Sequence, residues 1–298
     1  MKRWLAIITV LALVGCSSTE QRAYPGINTA LQQLTNSETS SLQDFFELDK
    51  QKADLDQVRP DNYPFLIEHA NTTNCILLTH GFAASPYEIQ MLADILKDQL
   101  TVYGTRLVGH GTTSEDLGAS TKNDWISSLD IPMKGLQKTC EHIFVSGVST
   151  GATLSLMAAS TYNPDGIITI SAPITFFDKR IMNAGIFKYL LKESDRDLEE
   201  HELPYYYTTI STKSVAQLAT LIKESKKMLP QITTPILIIQ SAEDKRVEPE
   251  SANYILNNIA SEQKELLLYP EGDHVLTTGN KTAQVAQDIL KFVEEITQ

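Results

Sequence analysis

Thiols are scarce: Cys16, Cys75 and Cys140 are the only cysteines in 298 residues, and none sits in a C-x-x-C pair or a Cys/His cluster. A thiolate metal centre is thereby excluded. Positive charge is scarce as well, with 25 Lys and Arg against 37 Asp and Glu, a net charge of −12. No basic stripe offsets it, which argues against nucleic acid as a partner. The apolar run at residues 4–14 covers eleven positions, too short for the ~20 residues of a membrane span. Internal repeats and low-complexity tracts are lacking too. What is present, 42% hydrophobic and 21% charged residues, suits one large domain with a buried core.

At the start, Met1-Lys2-Arg3 precedes that apolar run, which is broken only by Thr9 and followed by small residues. A positive end, a short apolar stretch and small residues describe a secretory signal peptide. Leu13-Val14-Gly15-Cys16 resembles the bacterial lipobox, which implies that residues 1–15 are removed and that Cys16 carries lipid. Loss of Lys2 and Arg3 makes the mature charge 23 − 37 = −14, so anionic lipid offers no attraction. Attachment to the membrane then rests on acyl chains, at ~0.8 kcal/mol per buried CH₂. Ser17 after the cysteine resembles the sorting pattern for the outer membrane of Gram-negative bacteria. The expected location is the cell envelope, on the periplasmic or surface face of that membrane.

Residues 17–30 are polar with a Pro-Gly pair, the composition of a linker. Apolar residues between 30 and 58 suggest one or two short helices, so 16–62 reads as a lipid-anchored linker and N-terminal segment. After Tyr63-Pro64 the pattern changes. Short apolar, β-branched runs at 75–79, 100–105, 142–146, 166–170, 235–240 and 265–269 alternate with helical patterns, among them 87–96. Such alternation predicts an α/β fold with a mostly parallel sheet buried on both faces. The alternation stops between 175 and 230, where Phe176, Phe177, Phe187, Tyr189, Tyr205, Tyr206 and Tyr207 precede a helix. That segment reads as a cap inserted into a core made of 63–174 and 231–298. The stripe of Val215, Leu218, Ala219, Ile222 and Leu229 is assigned to packing in preference to ligand contact.

The chemistry sits in Gly147-Val-Ser149-Thr-Gly151, a G-x-S-x-G string placed between a strand and a helix. In that setting it predicts a nucleophile elbow, with the Ser149 hydroxyl lifted over a helix N-terminus. The order Ser, acid, His then makes His274, on the glycine loop after the last strand, the base. His201 lies within Glu200-His201-Glu202, which reads as a solvated charge cluster. Of the acids past 235–240, Asp244 is preferred over Glu243, and Asp273 is assigned to a turn. Two backbone N–H donors are needed for an oxyanion hole. Thr150 follows the nucleophile and Phe82 follows His80-Gly81.

With these residues in view, the chain resembles the α/β-hydrolase family of small bacterial carboxylesterases and monoacylglycerol lipases. The resemblance is carried by His80-Gly-Phe82, Arg106-Leu-Val-Gly-His-Gly111, Asp124-Trp125, Gly147-Val-Ser-Thr-Gly151, Ser171-Ala-Pro173 and the acid and histidine loops. It implies the α/β-hydrolase fold, no metal or cofactor, and a small-molecule ester substrate held by a monomer. In such a reaction His274, oriented by Asp244, takes the Ser149 proton during attack on an ester carbonyl, and an acyl-enzyme forms and hydrolyses. Phe176, Phe177 and Tyr206 are the expected acyl-pocket residues. Thioester or peptide cleavage, or a silent fold in an envelope protein, are the rival readings. The sequence departs from the family at Thr150, where Leu or Gly is common, and in its first 60 residues. The family's sheet order also implies that Cys75 and Cys140 lie near neighbouring strands, where they could pair in an oxidising compartment or remain two free thiols. His110, flanked by glycines, is read as shaping its loop in preference to lining the site.

Overall fold

The computed structural model describes residues 21–183, 193–195, 200 and 202–298. The segment expected to be a signal peptide and Cys16 lie outside the described residues, as do Phe187, Tyr189 and His201. Seven strands form the central sheet: β1 (Phe65–Ile67), β2 (Asn74–Thr79), β3 (Thr101–Thr105), β4 (His142–Val148), β5 (Gly166–Ile170), β8 (Ile236–Ser241) and β9 (Lys264–Tyr269). Their order is β1-β3-β2-β4-β5-β8-β9, with only β1 antiparallel to its neighbour. The predicted runs match these strands within a residue or two. The exception is β1, whose three half-buried residues carry no long apolar run.

Alternating side chains divide the core between the two faces, as strand geometry requires. Ile76 and Leu78 of β2 pack with the helices Tyr87–Leu96 and Thr282–Thr297, whereas Cys75 and Leu77 pack on the opposite side with Asp130–Thr139 and Thr150–Tyr162. Cys75 and Cys140 form a disulfide, with Cα atoms 6.1 Å apart. Of the two readings, pairing is the one the fold realises. Cys140 ends the helix Asp130–Thr139 just ahead of β4, the neighbour of β2.

The N-terminal segment is folded onto this core. Helices Ile27–Asn36 and Leu42–Leu55 bury Leu31, Phe45 and Leu48, the second opened by a Ser41/Asp44 capping box. Residues 17–30 were expected to be linker, but from Arg22 on the chain is fastened. The Arg22 N–H donates to Asp124, its guanidinium pairs with Asp56 at 2.9 Å, and Asp56 also receives Arg106 and the Tyr24 hydroxyl. Local composition carries no sign of partners this distant in the chain.

Between β5 and β8 the described part of the cap contains the short helix Lys179–Met182, an antiparallel pair β6 (Glu193–Asp195) with β7 (Thr209–Ser211), and the helix Thr212–Met228. Leu221 and Ile222 of that last helix are buried in the core. Among the described residues no helix is long and apolar enough to cross a membrane.

Candidate active site

β4 ends in a turn that forces Ser149 to φ 55° and ψ −112°, a region rarely adopted by residues other than glycine. The Ser149 N–H is held by Ile170 O of β5 at 2.9 Å. The flanking glycines are required by close approach. A Cβ on Gly147 would lie 2.4 Å from the Gly151 carbonyl carbon, and one on Gly151 would lie 2.0 Å from Thr79 O. Thr150 opens the helix Thr150–Tyr162, so positive peptide ends gather beneath Ser149.

β8 and β9 deliver the other two side chains. His274 and Asp244 are both buried, and His274 Nδ1 lies 2.8 Å from Asp244 Oδ2. Asp244 also accepts from Gln240 Nε2 at 3.0 Å, Arg246 N at 2.8 Å and Val247 N at 3.0 Å. The Asp-x-x-Val spacing thus has a local cause: the carboxylate closes its own turn. Burial pushes this carboxyl up, but the hydrogen bonds from His274, Val247 and Arg246 outweigh it and hold Asp244 below the usual carboxylate range. A proton on Nδ1 then leaves Nε2 free to accept one. The neighbouring Glu243 is exposed, and Asp273 makes no bond to the imidazole among the described residues.

Ser149, His274, Gly81 and Phe82 line one cavity of 510 Å³. Among the described residues no hydrogen bond yet joins Ser149 Oγ to the imidazole, a contact that commonly tightens only around substrate. The N–H groups of Phe82 and Thr150 have no acceptor among the described residues and remain available for an oxyanion. His80 holds the first of them. Its Nε2 accepts from Leu107 N at 3.1 Å, so the proton sits on Nδ1 and donates to Gly81 O at 2.8 Å. That carbonyl belongs to the same planar peptide as the Phe82 N–H, and gripping one end aims the other. Burial pushes the His80 imidazole down to about 3, keeping it neutral in this task. His110 is fully buried against the rings of Phe82, Trp125 and Tyr207 and is not part of the cavity wall.

The expected acyl-pocket residues fare differently. Phe176 is buried and lines the cavity. Phe177 does not: it is 54% exposed, because the extended segment that bridges Phe176 to Val247 turns consecutive side chains to opposite sides. Tyr206 lines a second, more polar cavity that shares Lys245, Arg246 and His274 with the first, and its hydroxyl lies 3.4 Å from Glu88 Oε1. Ile181, Ile210, Val215 and Leu218 supply further apolar lining of the Ser149 cavity, and Asp178 also reaches it. Val215 and Leu218, from the stripe assigned to packing in preference to ligand contact, line the cavity, and Leu218 is also buried in the core, since helical spacing does not separate a core face from a pocket face. Lys245, Arg246 and Glu88 also reach this cavity and were not anticipated. Glu88 stands in the first turn of a helix, where an acidic residue reads as a favourable dipole partner and nothing more.

Comparison with known proteins gives this geometry a lineage. Residues 70–281 match the family described as serine aminopeptidase, S33 (Hydrolase_4). The chain is 33% identical over 223 residues to a thermostable monoacylglycerol lipase of Bacillus sp. (strain H-257), covering 73% of this chain and 89% of that protein. It is 27% identical to a carboxylesterase of Bacillus subtilis (strain 168), covering 74% and 92% of the two chains. Among solved structures, one from a study of the metagenome-derived lipolytic enzymes LipS and LipT superposes with a TM-score of 0.74 at 29% identity, over 80% of this chain and all of that one. A soluble variant of the Saccharomyces cerevisiae monoglyceride lipase superposes at a TM-score of 0.68 and 16% identity, over 78% and 91% of the chains, a likeness of fold.

Proposed function

This chain belongs to the serine aminopeptidase S33 (Hydrolase_4) family of α/β-hydrolases, and on that premise we propose that it cleaves carboxylic esters, acylglycerols with one acyl chain foremost, through an acyl-enzyme at Ser149. One observation carries the reading. A strained serine shares a cavity with an imidazole held by a buried carboxylate, beside two uncommitted amide donors. Ester hydrolysis is also what the two Bacillus relatives are named for.

In the proposed cycle His274 takes the Ser149 proton as Oγ attacks the ester carbonyl. The Phe82 and Thr150 N–H groups receive the developing oxyanion. His274 then gives its proton to the leaving alcohol, and water, activated by the same imidazole, releases the acid. Phe176, Ile181, Ile210, Val215 and Leu218 offer the acyl chain an apolar wall. Ser149→Ala is expected to abolish p-nitrophenyl ester turnover and fluorophosphonate labelling while the melting temperature holds. Full turnover in that variant would defeat the reading. Acyl esters are expected to outrun the matched thioesters and aminoacyl amides.

The site of action in this proposal is the bacterial envelope, with a monomer tethered through lipid on Cys16 after loss of residues 1–15. The lipobox-like Leu13-Val14-Gly15-Cys16 supports it, and the Cys75–Cys140 disulfide suits an oxidising compartment. Only residues 17–21 would then separate the lipid from Arg22, the first fastened residue. Labelled fatty acid should enter the wild-type protein and not Cys16→Ser. A wild-type protein that takes up no label would remove the tether from the account.

A further inference from the structure

The buried carboxylate of Glu88 has no part in the reaction as derived so far, although it reaches the cavity that holds Ser149. Its contacts join three pieces of the site. Oε2 accepts from Gly81 N at 2.6 Å, and Oε1 lies 3.4 Å from the Tyr206 hydroxyl of the cap. The Glu88 backbone carbonyl accepts from Thr277 Oγ1 at 2.6 Å, three residues beyond His274. Gly81 is thus gripped twice, at its carbonyl by His80 and at its N–H by Glu88. Those two grips fix both peptides that meet at Gly81, and the second of them carries the Phe82 N–H. A glycine pivot with no Cβ is free to rotate unless held. The fit at this pivot is close, since a Cβ on Gly81 would lie 2.8 Å from Glu88 Oε2.

We propose that Glu88 is a positioning residue for the oxyanion hole: its carboxylate anchors the Gly81 N–H and so keeps the Phe82 N–H aimed at the developing oxyanion. A charge-assisted bond from a buried carboxylate holds an amide more firmly than a neutral acceptor does. The inference rests on ester hydrolysis at Ser149. The role belongs to the transition state, because the hole is filled only when the carbonyl becomes tetrahedral. Loss of Glu88 therefore lowers kcat and leaves KM nearly in place.

The test compares Glu88→Leu with Glu88→Gln in ester kinetics and in binding of an alkyl boronic acid, whose tetrahedral adduct on serine places an oxygen in the hole. Glu88→Leu should lower kcat and boronate affinity together by roughly 10-fold or more, with KM within about 2-fold. Glu88→Gln, whose amide oxygen can still accept from Gly81, should restore most of both. Equal behaviour of the two variants, or a loss confined to KM, overturns the proposal. If Glu88→Leu does not fold, Glu88→Gln decides through the Gly81 amide proton resonance, which the carboxylate shifts downfield. Contact and activity kept together, or lost together, support the role; one kept without the other overturns it. A wild-type protein that neither turns over esters nor binds the boronate would instead sink the ester-hydrolase reading on which the inference stands.

Discussion

His80 follows β2 and His274 follows β9, and each has its Nδ1 hydrogen-bonded at 2.8 Å, the first to Gly81 O and the second to Asp244 Oδ2. The difference lies in the acceptor and in the other nitrogen. His80 meets a neutral carbonyl, and its Nε2 is already occupied by Leu107 N–H. With both nitrogens committed and the ring buried, it can only hold a peptide in place. His274 meets a carboxylate that stabilises an imidazolium, and it lines the cavity with Ser149. The same side chain at the same bond length holds a peptide in one loop and, in the proposed cycle, serves as base in the other. What decides is whether a proton has somewhere to go.

That contrast can be broken by experiment, most severely at the base. His274→Ala should cost roughly 10⁶-fold in kcat while thermal stability holds, because Asp244 keeps its other three donors. Activity within tenfold of wild type would move the base elsewhere. Asp244→Asn should follow at about 10⁴-fold, by presenting the imidazole in the wrong tautomer. Steady-state kinetics with a soluble ester measures both. His80→Ala reverses the pattern, with a smaller loss in kcat of about 10²-fold and a fall in stability of about 3 kcal/mol in urea unfolding, since Gly81 O and Leu107 N lose their partner. An unaltered unfolding midpoint would contradict the scaffold role.

The last effect is read in acid, and it builds gradually with pH. His80 is pushed down to about 3 by burial, from 6.5, so between those values the unfolded chain binds a proton that the folded chain does not. Stability therefore rises with pH across that window and is lost on acidification, by about 1.4 kcal/mol per pH unit for one such group. His110, lowered by burial and by the nearby His80, adds a contribution of the same sign. Asp244, held below the usual range, keeps its contribution until the pH falls below that of an ordinary aspartate. Unfolding midpoints from pH 7 to 4 should show the slope, and His80→Ala should flatten it.

The inner parallel strands were legible because burial on both faces favours apolar runs: Ile236, Leu237, Ile238 and Ile239 admit no other reading between a proline and a glutamine, whereas the edge strand β9, expected to be buried on both faces, leaves Lys264, Glu265 and Leu268 exposed. Ser149, Asp244 and His274 were legible because each follows such a run. Shorter or one-sided elements were not. β1, β6 and β7 have three residues apiece, too few for a period to emerge. Glu88 was hidden for another reason, since its partners Gly81, Tyr206 and Thr277 come from separate stretches of the chain. The pairing of Arg22 with Asp56 was hidden in the same way, and Phe177 misled because an aromatic doublet cannot place both rings on one side of an extended segment.

The contact at Gly151 has a consequence for how such a site tolerates change. With room for no more than a hydrogen between this helix and Thr79, the serine-bearing element bears directly on the strand that leads into His80, Gly81 and Phe82. Neither can drift without displacing the other, so the spacing between the two amides is set by bare backbone against backbone, with no adjustable side chain as a shim. Substrate range can wander through the cap, where walls are made of replaceable side chains, while the gauge of the reaction stays machined into the core.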